Sequence, residues 1–213
     1  MRHPRPGRLD AGPCSPNVLA IRLPRGYQMA QIVLIHSILG LRPVERSIAA
    51  RWEAAGHGVT LPDLYGGRSA ESYEDGFTLW GELKESAQAM AREAILNAPQ
   101  GAVLSGVSMG AGQVSASWGE RPDISGAILF AGSADPAPGL PKGLPVQAHI
   151  ARPDPFDDEG YFADWVASMG DYELDLYRYD GVGHYSLDPA LEDFGAAEAE
   201  LCLSRTLDFL AGL

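Results

Sequence analysis

The stretch Gly101-Ala102-Val103-Leu104-Ser105-Gly106-Val107-Ser108-Met109-Gly110-Ala111-Gly112 decides how this chain is read. It opens on an apolar run that predicts a strand and continues, from Met109 to Trp118, as a helical segment. Between the two lies Gly106-Val107-Ser108-Met109-Gly110, a match to G-x-S-x-G. The spacing has a physical reason. A serine in a tight strand-to-helix turn sits in strained backbone, and flanking glycines keep Cβ atoms out of its way. The turn lifts the hydroxyl above the sheet and places it at a helix N-terminus, where the Met109 amide can face a developing oxyanion. Two nucleotide readings compete for the same glycines. A dinucleotide fingerprint requires G-x-G-x-x-G after the first strand, whereas this strand comes later. A phosphate-cradling loop requires Gly-Lys-Ser/Thr, and neither Lys84 nor Lys142 stands in one. The reading without chemistry is a glycine-rich turn with an idle serine.

Outward from this turn the pattern alternates. Gln31 to His36 is a continuous apolar run bounded by turn signals, as in a strand buried on both faces. A helix is expected from Pro43 to Ala55, with Val44, Ile48, Ala49 and Trp52 on one side and Gly56 and Gly58 ending it. Val59 to Leu61 reads as a short strand, 62–76 as a loop containing Gly66, Gly67 and Gly76, and 77–97 as a long helix. Further strands are expected at Ile124–Phe130, Val146–Ile150 and Leu174–Tyr179, with helices at Tyr161–Met169 and Leu191–Leu210. Strands separated by helices predict an α/β fold, a doubly wound, mostly parallel sheet with helices on both faces. Ligands in such sheets bind at the carboxyl ends of the strands. No internal repeat or interdomain linker breaks the pattern.

Composition narrows the function. The chain has 213 residues and a net charge of −12, with two lysines, which argues against a nucleic-acid surface. No apolar run approaches the length of a membrane span. Cys14 and Cys202 make neither a disulfide framework nor a metal cluster, and their sparsity fits a reducing, cytoplasmic setting. No cofactor is called for. Residues 1–28 carry five arginines against Asp10, so −16 falls on residues 29–213. The leading segment, rich in Pro and Gly, is expected to be a disordered basic extension, with Met29 the natural start of the folded unit.

A serine nucleophile needs a base, and the base needs an orienting acid. His3 lies in the leading segment and His57 in a helix-end turn, while His36 and His149, at strand ends, read as core histidines. His184 stands in Asp180-Gly181-Val182-Gly183-His184-Tyr185, a flexible loop between the last strand and the last helix. The acid should fall between Ser108 and His184 in the chain. Asp154, in Arg152-Pro153-Asp154-Pro155 just past a strand, is the better placed, and Asp135 is the second choice. Asp157 and Asp158 read as the opening of the next helix, where carboxylates favour the dipole. Trp80 and Trp118 read as packing residues, and Cys202 as a buried apolar one.

Five ordered segments now carry a resemblance: Ile35-His36-Ser37-Ile38-Leu39-Gly40-Leu41, Pro62-Asp63-Leu64-Tyr65, Gly106 to Gly110, His149-Ile150-Ala151-Arg152-Pro153-Asp154, and Gly181-Val182-Gly183-His184. Together they resemble the dienelactone hydrolase family of α/β-hydrolases, from about Gln31 to the C-terminus. The resemblance implies an α/β-hydrolase fold with a minimal lid. It implies Ser108, Asp154 and His184 as a triad, with the amides of Ile38 and Met109 as the oxyanion hole. This chain departs from the family pattern in three places. The type member has cysteine where Ser108 stands, and many members have glutamate where Ser37 stands. The arginines that hold the type substrate's carboxylate have no counterpart in Tyr185-Ser186-Leu187-Asp188 or around Arg68. The expectation is therefore a serine hydrolase of a small neutral ester or lactone, acting as monomer or homodimer with loop 62–76 bordering its pocket. A non-catalytic member binding small molecules in the same cleft is the alternative.

Overall fold

The computed structural model describes residues 29–213. The expectation for residues 1–28 lies outside them. Six strands form one sheet: β1 (Gln31–Ile35), β2 (Gly58–Thr60), β3 (Val103–Val107), β4 (Gly126–Phe130), β5 (Pro145–Arg152) and β6 (Glu173–Asp180). Their order is β2-β1-β3-β4-β5-β6, and every pairing is parallel. The intervening helices are α1 (Pro43–Ala54), α2 (Tyr73–Leu96), α3 (Met109–Ser117), α4 (Glu159–Ser168) and α5 (Ala196–Gly212). The chain steps one way from β1 to β2, then reverses across β1 to β3. Right-handed crossovers therefore put α1 on the opposite face from α2. On the α1 face, the Trp52 indole N–H donates to the Thr206 hydroxyl of α5 at 2.9 Å.

Composition explains the order. β3 (Val-Leu-Ser-Gly-Val) and β4 (Gly-Ala-Ile-Leu-Phe) are buried at every residue, as central parallel strands must be. The edges differ: β2 has three residues, and β6 intersperses Glu173, Asp175, Arg178 and Asp180 with Leu and Tyr, which discourages edge pairing. The core fills both faces, with Trp52, Trp118, Phe130, Ile32 and Ile128 among its fully buried side chains. Trp118 is core as expected, and Trp80 packs half-buried against it.

Two boundaries differ from the sequence expectation by four residues or more, the others by one or two. α2 begins at Tyr73 because Ser72 caps it, its hydroxyl accepting the Asp75 amide at 3.1 Å. Gly76 therefore lies in the helix, not in the preceding loop. It is there for close approach, since a Cβ would come 3.0 Å from the Leu39 side chain. The last helix starts at Ala196, not near Leu191. Residues 185–195 instead form successive turns, closed by amide-to-carbonyl bonds from Asp188 to Tyr185, Leu191 to Asp188 and Gly195 to Ser186. No separate cap domain intervenes among the described residues.

β3 delivers its carboxyl end at the switch point between β1 and β4, and α3 packs so closely there that side chains are excluded. A Cβ on Gly110 would lie 2.3 Å from the Ile35 carbonyl oxygen, and one on Gly106 would lie 2.3 Å from the Gly110 carbonyl. Gly112, two residues on and so on the other side of the helix, has nothing within 4 Å. Gly110→Ala is expected to cost at least about 2 kcal/mol, as overpacking against backbone does. Gly112→Ala should be neutral or stabilising by up to about 1 kcal/mol through helix propensity. Urea denaturation of the pair checks both, and equal stabilities would contradict the packing argument.

Candidate active site

Ser108 sits between β3 and α3 with φ 51° and ψ −110°, a conformation that L residues adopt at a cost. The backbone is held there by neighbours: the Ser108 amide donates to the Phe130 carbonyl at 2.8 Å, and the Ser108 carbonyl accepts from Ala111 and Gly112. Ala131, at the end of the adjacent strand, also has positive φ, 49°, and its amide donates to the His149 carbonyl.

The three residues singled out across 76 positions of sequence meet at this turn. His184 Nδ1 lies 2.7 Å from Asp154 Oδ2, and His184 Nε2 lies 2.8 Å from Ser108 Oγ. A carboxylate only accepts, so Nδ1–H donates to Asp154, and the bare Nε2 accepts the Ser108 hydroxyl proton. Asp154 and His184 are 7% and 6% exposed, which keeps water from competing for these bonds. Burial alone would raise the Asp154 carboxyl, but the His184 hydrogen bond, its charge and the Phe156 and Asp157 amides hold it below the usual carboxylate range. Asp135 is not brought to His184. Its carboxylate is exposed, and its main chain is tied to Ser115 and Trp118 instead. Asp158 caps α4 by accepting the Tyr161 amide, as its position suggested, whereas Asp157 lines the cleft. Burial, then the nearby Asp154 charge, pushes the Asp157 carboxyl up.

A cleft of about 470 Å³ opens over Ser108. Ile38 and Met109 both line it. Met109 is the first residue of α3, so its amide has no acceptor within the helix. Its outer wall is aromatic: Tyr73, Phe77, Phe156 and Tyr161. Phe156 meets the His184 ring edge to face at 4.5 Å, and Tyr73 does so at 6.2 Å. Among the described residues, no lysine or arginine lines the cleft. A larger cleft of about 600 Å³, between α1 and the start of α5, does not reach Ser108. Loop 62–76 meets the site through Tyr73 alone among the cleft-lining residues, while Gly66 and Gly67 stand clear of it.

His36 and His149 are structural. His36 is fully buried, donating from Nδ1 to the Ser37 carbonyl at 2.7 Å and accepting the Leu64 amide on Nε2 at 3.0 Å. His149 bonds Tyr179 and Gln147 within the core, and burial lowers its pKa to about 3. Burial raises the Cys202 thiol to about 12, so it is inert as a nucleophile. Among the described residues no group of His, Cys, Asp and Glu could hold a metal ion, and no helix is long and apolar enough to cross a membrane.

Sequence reasoning missed the residues beneath the site. Glu45 is completely buried, its carboxylate accepting from the Tyr185 hydroxyl at 2.8 Å and the Arg42 amide at 3.0 Å, with the Ser37 amide at 3.4 Å. Burial pushes its carboxyl above the usual range against these bonds. Arg42 Nε donates to Asp188 at 2.6 Å, with both side chains 3% exposed. Tyr73 OH donates to Asp193 at 2.5 Å, and the same oxygen accepts the Tyr185 amide at 2.9 Å. The signal for Glu45 was present: it lies three residues before Ile48 and seven before Trp52, on the stripe of α1 that faces the core.

Because the native Asp154 carboxyl is depressed, it stabilises the fold above its unfolded value, near pH 4, and that contribution disappears as pH falls below it. Asp154→Asn should therefore lose less stability than the native protein between pH 5 and about pH 3. Thermal unfolding across that interval checks this, and parallel acid limbs would contradict it.

The geometry can be set beside known proteins. No curated protein matches the sequence. Solved structures share its fold. A Klebsiella pneumoniae protein described as a candidate dienelactone hydrolase is 14% identical, with a TM-score of 0.66 over 87% of this chain and 88% of that one. A dienelactone hydrolase-like promiscuous phosphotriesterase from metagenomic libraries is 12% identical, with a TM-score of 0.65 over 86% of each chain. Esterase PE8 is 16% identical, with a TM-score of 0.57 over 87% and 93%. The model of the dienelactone hydrolase family matches residues 19–213. The chain is an α/β-hydrolase and belongs to the dienelactone hydrolase family.

Proposed function

We propose that this hydrolase cleaves a small neutral ester or lactone through a covalent acyl-enzyme on Ser108. The observation that carries the reading is the hydrogen-bonded line from Asp154 through His184 to Ser108, ending on a hydroxyl held in strained backbone at a helix N-terminus. His184 Nε2 takes the Ser108 proton as Oγ attacks the carbonyl carbon. Asp154 holds the imidazole with Nδ1 protonated and stabilises the imidazolium that forms. The carbonyl oxygen becomes an oxyanion between the Ile38 and Met109 amides, each worth about 3 kcal/mol in such roles. Collapse of the tetrahedral species expels the alkoxide, which takes the proton from His184. Water then enters, gives a proton to His184 and releases the acid by the same route.

The cleft supports the neutral substrate. It presents aromatic walls and the carboxylates of Asp135 and Asp157, with no cation to receive a carboxylate. On a unit carrying −16, an anionic ester meets an unfavourable field at every distance.

A fluorophosphonate probe should label Ser108, located by peptide mass spectrometry, and Ser108→Ala should lower turnover of short p-nitrophenyl esters by at least about 10³-fold. Labelling elsewhere, or retained turnover, refutes the mechanism; binding without labelling favours a non-catalytic role. Between esters of matched size, one carrying a free carboxylate should show a lower kcat/KM than its methyl-ester counterpart. The reverse order would overturn the substrate class.

A further inference from the structure

The two sides of the reactive centre come from opposite ends of the chain. Ile38 lies on the turn after β1, and His184 lies on the turn after β6, with five strands' worth of sequence between them. Packing of the sheet sets their approximate positions, but catalysis needs them held to a fraction of an ångström about Ser108. One buried carboxylate touches both turns. Glu45 Oε1 accepts the Ser37 amide, one residue before Ile38, and the hydroxyl of Tyr185, one residue after His184. Its other oxygen accepts the Arg42 amide and closes the N-terminus of α1. The Ser37 turn is tightened from within, its hydroxyl accepting the Leu39 amide at 3.2 Å and its carbonyl accepting Gly40 at 3.1 Å.

A second bridge runs parallel. Arg42 Nε donates to Asp188, whose amide in turn donates to the Tyr185 carbonyl at 3.1 Å. Arg42 also reaches the Ala70 carbonyl on the segment leading into α2. The first turn of α1 thus grips the histidine turn at two points, both shielded from solvent.

We infer that Glu45 and Tyr185 are positioning residues that set the distance between the oxyanion side and the base side of the site. The inference rests on the hydrolase reading above. Neither side chain touches the reacting atoms: Glu45 acts through the Ser37 amide and Tyr185 through the main chain of His184. A developing oxyanion strengthens its bonds to the Ile38 and Met109 amides while His184 becomes cationic, so both turns are pulled toward Ser108 as the barrier is crossed. The Glu45–Tyr185 bond makes that pull productive by keeping either turn from following independently. Ground-state binding in the aromatic cleft does not need this, so its loss falls on kcat.

Tyr185→Phe removes one hydroxyl and keeps the packing. Turnover counted per fluorophosphonate-titrated site should fall about tenfold with KM within about twofold, as small displacements of reacting groups produce. Affinity for an alkylboronic acid, a tetrahedral mimic that needs the oxyanion side, should fall by a similar factor. Glu45→Gln should give a comparable loss, and the double variant should lose little more than either single one. A residue that only stabilises the fold would lower the melting temperature and leave kcat per titrated site and boronate affinity unchanged; that result overturns the inference. Additive losses in the double variant would overturn it as well. Retained turnover in Ser108→Ala would instead refute the hydrolase mechanism itself, so the two failures are distinguishable.

Discussion

The whole upper surface of the sheet hangs on how closely the first turn of α3 lies against the backbone of β1 and β3. At Gly106 and Gly110 the gap admits no Cβ, and that closeness forces the reversal at Ser108 into positive φ. A strained residue persists only where its surroundings over-determine it. Here the Phe130 carbonyl takes the Ser108 amide and the α3 turn takes its carbonyl, so the hydroxyl has one direction left. Every other part of the site is arranged around that direction. The parallel sheet brings β5 and β6 to the same side, and the turns after them carry Asp154 and His184, which form a hydrogen-bonded line to the hydroxyl.

Charge is distributed with the same economy. Among the described residues, several cations are spent on structure: Arg42 on Asp188, Arg121 on Asp123 and a carbonyl in the last turn of α2, Arg178 on Glu159, and Arg152 on Asp180. What remains over Ser108 is aromatic and acidic. Among the described residues, no arginine or lysine lines this cleft to anchor a substrate carboxylate.

Much of this was legible in the residues. Continuous apolar runs at 31–35 and 103–107, separated by amphipathic helices, specify a parallel sheet because only strands covered on both faces lack alternation. Ser108, Asp154 and His184 were readable because each stands just beyond a strand, in a segment marked by glycine or proline. What escaped was whatever depends on contacts distant in sequence. Glu45 looks like an ordinary helix-opening acid until Tyr185 is placed beside it, 140 residues on. The aromatic wall was equally hidden: Tyr73, Phe77, Phe156 and Tyr161 belong to segments that become neighbours only after the sheet forms. The residues from Leu191 to Gly195 were read as the opening of the last helix, but amide bonds to the Asp188 and Asp193 side chains hold the segment in turns instead.

That aromatic wall has a consequence for how such an enzyme diversifies. Phe156 supports Asp154 through its amide, not its ring, and Phe77 and Tyr161 project from helical surfaces that α2 and α4 present to solvent, 54% and 41% exposed. Tyr73 and Phe156, by contrast, pack against the His184 ring. Under the proposed function, the Phe77 and Tyr161 rings can be exchanged while the line from Asp154 to Ser108 stays still, so new selectivities are reachable by single substitutions at those two positions.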